Sequence, residues 1–81
     1  MKKVYYELSF RMGGFMSGPT TRTAPVGVLP MQTTRVAPPS DSNFMNSQEL
    51  GKAVGAIAMA NPSKTVFCEW SEDGNVSAWL V

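Results

Sequence analysis

The most reactive side chain in this sequence is a single thiol, Cys68, set in the run VFCEW. A nucleophilic cysteine needs something beside it that favours the thiolate, such as a histidine or a helix N-terminus. The chain contains no histidine at all, which removes the commonest general base and the commonest metal ligand together. Cys68 falls mid-strand between Phe67 and Glu69, so it reads as a small buried hydrophobe. A zinc site would need about four nitrogen or sulfur ligands, and the sequence does not supply them. Glu69, Glu72 and Asp73 are close enough along the chain to suggest paired carboxylates, but Glu72 and Asp73 fall in a turn, where solvation accounts for them. Gly13-Gly14 and Gly18 lack the GK[ST] ending and the following helix of a phosphate loop. The expectation is a protein that is not an enzyme, with no catalytic residue, metal or cofactor.

Chemistry of contact is better represented. The first forty residues carry Lys2, Lys3, Arg11, Arg22 and Arg35 against Glu7 alone, five cations to one carboxylate. The remainder carries Lys52 and Lys64 against Asp41, Glu49, Glu69, Glu72 and Asp73, two cations to five carboxylates. Two halves of opposite sign can attract each other or present differently charged surfaces. Interleaved with Tyr5, Phe10 and Phe15, the basic half could track phosphates and stack bases of a single strand or RNA. The charge density is low and the isoelectric point, about 7.9, lies far from that of a typical nucleic-acid binder. Protein binding accounts for more. Arg, Met and aromatic side chains dominate interface hot spots, and residues 13–45 offer Arg22, Arg35, Met16, Leu29 and Met31 on a backbone stiffened by Pro19, Pro25, Pro30, Pro38 and Pro39. Such stiffening lowers the entropy lost on docking. Within that stretch TTRTAP at 20–25 returns as TTRVAP at 33–38, two extended segments flanking a bend at Val26–Pro30.

The elements that must position these groups follow from periodicity. Val4, Tyr6, Leu8, Phe10 and Met12 alternate with Lys3, Tyr5, Glu7, Ser9 and Arg11, which is the pattern of a strand with one buried face. From Gly13 to Ser42 the prolines prevent any helix or central strand, and this stretch is expected to be an extended arm, with one short edge strand in 31–37. Helix signals then cluster. Asn46 and Glu49 form a capping box with Met45 and Leu50 as its hydrophobic staple. Leu50, Val54, Ile57 and Ala58 make a core-facing stripe, and Asn61-Pro62 ends it, Asn61 in a left-handed conformation. Gly51 and Gly55, each costing about 1 kcal/mol relative to Ala, imply a close approach of the helix backbone to a sheet or partner. KTVFCEW and VSAWLV read as a hairpin around Asp73-Gly74, a type I′ turn that would pair Cys68 with Trp79 and Phe67 with Leu80.

At 81 residues the chain makes one small domain that buries only about 60–65% of its unfolded surface. The assembled expectation is a small α+β domain of about three antiparallel strands with one helix packed on the sheet. Both faces of the hairpin are apolar, and one short helix covers only one of them. The other must meet the arm, a second copy of the chain, or another protein. No stretch reaches the length of a membrane span, and VYYELSF is too short and too polar for a signal peptide. One cysteine fits a reducing cytoplasm. In size and architecture alone the chain resembles small phage-encoded inhibitors such as anti-CRISPR proteins. That resemblance implies a viral, host-cytoplasmic protein that occupies a surface of a larger protein or ribonucleoprotein complex. The contacts would be Arg11, Arg22, Arg35, Met16, Leu29 and Met31, with Glu69, Glu72 and Asp73 at the hairpin tip as a second patch able to mimic phosphate. The alternatives are a single-stranded nucleic-acid- or RNA-binding module and a homodimeric structural protein.

Overall fold

The computed structural model describes residues 3–11, 14–36 and 47–81, the side chains of 11, 15–17 and 47–49 excepted. Met45, Asn46 and the Glu49 side chain, and hence the capping box and staple, lie outside the described residues. The order is β1 (Lys3–Arg11), β2 (Gly14–Pro19), β3 (Gln32–Arg35), α1 (Ser47–Ala60), β4 (Thr65–Ser71) and β5 (Asn75–Leu80). The strands form one antiparallel sheet in the order β2-β1-β4-β5-β3. The sheet therefore has five strands, not about three.

The two additional strands come from the expected arm, and each sits at an edge. β2 folds back on β1, with Glu7 opposite Gly18 and Tyr6 opposite Pro19. Because the Thr20 N–H donates to the Tyr5 carbonyl at 3.1 Å, the alternation of an antiparallel ladder turns the Pro19 nitrogen away from β1. The missing proline donor costs no ladder bond there, which is why a strand rich in Gly and Pro survives. β3 is the short edge strand expected within 31–37, and it pairs with β5.

β1 joins β4 with Tyr6 opposite Cys68 and Leu8 opposite Val66. Its even-numbered side chains face the helix as the alternation requires, with Tyr6 and Leu8 buried and Val4 and Phe10 packed beside them. The helix brings Leu50, Val54 and Ala58 onto the same core, with Ile57 at its margin. Its C-terminus closes differently from expectation. No described non-glycine residue has positive φ. Instead the Asn61 side-chain amide donates to the Ile57 carbonyl at 2.9 Å, satisfying one of the orphan acceptors of the last turn. At Gly51 a Cβ would meet nothing within 4 Å, so no close backbone approach explains that glycine.

The hairpin is shifted by one residue. Glu72, Asp73 and Gly74 form a three-residue loop in which the Gly74 N–H returns to the Ser71 carbonyl at 2.9 Å and Gly74 takes φ +92°. This is a turn followed by a left-handed glycine, the second common hairpin solution, rather than the two-residue type I′ turn. Asp73 stabilises it by accepting from the Asn75 backbone at 3.2 Å and side chain at 3.1 Å. A one-residue slip exchanges the faces of a strand. Cys68 consequently faces Ala78, and Trp79 moves across the sheet to face Phe67.

Candidate protein-binding surface

Residues 20–31 leave the β2 edge, cross the sheet on the side opposite the helix, and enter β3 at the far edge. Beneath them Tyr5, Phe67 and Trp79 form an aromatic row over three strands. The Tyr5 and Phe67 rings stack with centroids 5.9 Å apart, and Trp79 tilts against Phe67 at the same separation. Phe67 is 1% exposed and Trp79 7%, although the helix reaches neither. What covers them is the crossing segment. Arg22 lies with its guanidinium carbon 5.6 Å from the Phe67 ring centroid and pairs with Glu7. The Trp79 indole N–H donates to the Val28 carbonyl at 3.1 Å. The apolar surface that the helix leaves open is thus met by the chain's own arm.

That closure turns other side chains outward. Between Pro25 and Pro30 the chain bends at Val26-Gly27, where Gly27 takes φ +78°. Val26 is 97% exposed and Leu29 88%, with Val28 and Met31 also exposed. Four large apolar side chains within six residues are therefore exposed, forming a crest on a segment whose Val28 carbonyl accepts from Trp79 and whose Arg22 side chain lies over Phe67. Exposed apolar side chains this close along the chain make the crest a candidate contact surface.

The residues expected to make contacts separate into distinct groups. Leu29 and Met31 are brought together on the crest, joined by Val26 and Val28, which sequence reasoning did not single out as contacts. Arg22 pairs with Glu7 and lies over the Phe67 ring, while more than half of its side chain stays exposed. Arg35 is exposed on β3 and makes no ion pair with any described residue. Glu69 is not at the hairpin tip. It lies within β4 on the arm side of the sheet, its side chain 16% exposed and 3.3 Å from the Lys3 ammonium. Glu72 and Asp73 do occupy the tip and are exposed, with Asp73 engaged in the turn. The side chains of Arg11 and Met16 lie outside the described set. Cys68 is buried, and burial pushes its thiol up to about 12 from an ordinary 9.0, the opposite of what a nucleophile requires.

No protein-family model, curated protein or solved structure matches this chain. Among the described residues no helix is long and apolar enough to cross a membrane.

Proposed function

We propose that this chain is a small non-enzymatic binding protein that docks on a larger protein or ribonucleoprotein complex through the crest of residues 26–31. In class it is a surface-occupying inhibitor or modulator, of the phage-encoded kind that its size and architecture resemble. One observation carries the reading. Val26, Val28, Leu29 and Met31 are all exposed on a segment tied to the sheet at the Val28 carbonyl, although the same segment had an apolar sheet face within reach to bury them against. A crest fixed before docking loses little conformational freedom on binding, so more of its apolar burial becomes affinity. Arg35, exposed on β3 four residues beyond Met31, supplies a cation, the residue type most favoured with aromatics at interface hot spots.

The nucleic-acid reading draws less support, because two of its cations, Arg22 and Lys3, lie against Glu7 and Glu69. The test is affinity capture with Val26→Ser/Leu29→Ser beside the native sequence. Both positions are exposed, so the variant should keep its melting temperature within about 0.5 kcal/mol equivalent while losing the captured complex. Retention of the same complex by the folded variant would remove the crest from consideration. Filter binding to single-stranded DNA and RNA across a salt titration addresses the alternative, since phosphate contacts weaken steeply as salt rises.

A further inference from the structure

The two edges of the sheet are built differently. In β2 the outward backbone positions are those not directed at β1, and one of them is Pro19, which has no N–H to offer a further strand. At the other edge the Val36 N–H donates to the Gly74 carbonyl at 2.7 Å, and Thr34 faces Val76 in the same register. Alternation then directs the amides and carbonyls of Thr33 and Arg35 away from β5. Both residues are exposed, neither is Gly or Pro, and no described strand pairs with them. The Met31 N–H reaches the Ala78 carbonyl at 2.9 Å, one position out of step with the ladder. This offset brings the crest directly onto the end of the β3 edge.

We propose that the outer edge of β3 accepts an extended strand from a partner protein, with a carboxylate of that strand opposite Arg35 and apolar side chains against Leu29 and Met31. The inference rests on the docking reading above and adds the chemistry of the occupant. Main-chain bonds from Thr33 and Arg35 supply affinity that is indifferent to sequence, and the side chains along one face supply selection. An exposed Arg35 without an ion-pair partner among the described residues favours an anion in the adjoining strand. A second copy of this chain is a poor occupant. Two-fold antiparallel pairing of β3 with itself through Thr33 or Arg35 sets Arg35 opposite Met31, Thr33 or Arg35 of the other copy, never a carboxylate. Arg35 on this edge therefore gains no anionic partner from self-pairing, whereas an acidic strand supplies one.

The proposal is tested with a displayed library of random twelve-residue peptides selected on the intact protein. Enriched peptides should be free of proline at their centre, rich in β-branched residues, and carry Asp or Glu about four positions from an apolar residue. Synthetic versions should bind Arg35→Glu at least tenfold more weakly, and exchanging their carboxylate for Lys should restore binding to that variant. On the native protein, bound peptide should slow hydrogen exchange of the Thr33 and Arg35 amides at least tenfold, while Thr34, already bonded to β5, changes little. This readout needs no substitution and so cannot be confused with misfolding. Absence of enrichment, or enriched peptides that leave the Thr33 and Arg35 amides unprotected, overturns the edge proposal. If such peptides lose affinity with Val26→Ser/Leu29→Ser but not with Arg35→Glu, the crest alone binds and the edge does not. A dimer by light scattering that Thr33→Pro dissociates would make a second copy the occupant, against the proposal.

Discussion

The two faces of this sheet are covered by opposite means. On one, a helix lays down Leu50, Val54 and Ala58 at helical spacing against Tyr6, Leu8, Val66 and Val76, all of them buried. On the other, an extended segment covers Phe67 and Trp79 with one guanidinium and one backbone carbonyl, and sends its own apolar side chains outward. A helix presents a stripe because its period repeats every turn. A proline-bounded segment has no such stripe and must hold on at a few points. The first face should therefore carry more of the stability than the second.

Removing one side chain from the helix face should be the most damaging change. Leu50→Ala is expected to cost about 2–5 kcal/mol in urea unfolding, as for fully buried leucines generally. A loss below about 1 kcal/mol would erase the distinction between the faces. On the arm face, Arg22→Ala combined with Trp79→Phe removes a half-exposed ion pair, a cation–ring contact and one hydrogen bond, together about 1–2 kcal/mol. The far-UV circular dichroism should stay unchanged while thermolysin cleavage near Gly27-Val28 accelerates. Cleavage that quickens only in step with global unfolding would show that the arm is no separate unit.

A finer probe of the helix side is Gly51→Ala. Nothing would meet the added methyl, so the substitution should stabilise the fold by up to about 1 kcal/mol through helix propensity. Destabilisation would mean that the helix backbone packs more closely than the structure has it. Cys68 gives the smallest effect at neutral pH. Its folded pKa of about 12 exceeds the unfolded value near 9.0. Above pH 9 the unfolded chain releases this proton more readily than the folded one, so the thiol's contribution is complete below pH 9 and lost as pH rises toward 12. The stability gap between the native sequence and Cys68→Ala should narrow between pH 8 and pH 10.5. A gap that widened would reverse the assignment of this thiol to the core.

Local chemistry alone was enough for β1, α1 and the existence of the terminal hairpin. Alternation at Val4–Phe10, the Leu50–Val54–Ala58 stripe and Asp73-Gly74 each act within a few residues. The short strand at 32–35 was also readable from its β-branched run. β2 was not, because proline and glycine argue against a strand until the strand is known to be an edge with Pro19 turned outward. The hairpin register was misread for a related reason. Asp-Gly serves both two- and three-residue loops, and only the pairing of β4 with β5 selects between them. That single residue decides whether Trp79 joins Cys68 under the helix or Phe67 under the arm. Of the residues singled out for contact, Leu29, Met31 and Arg35 are exposed, whereas Arg22 and Glu69 each form an ion pair with a residue of β1, which no local pattern announced.

The sequence by itself determined that apolar surface would exceed what one helix could cover. That follows from composition and short-range pattern. Only the tertiary structure decided what covers the excess, because Arg22 meets Phe67, and Val28 meets Trp79, across separations of 45 and 51 residues. Contacts at that distance depend on the order and register of strands, and neither is encoded in any one stretch of the chain.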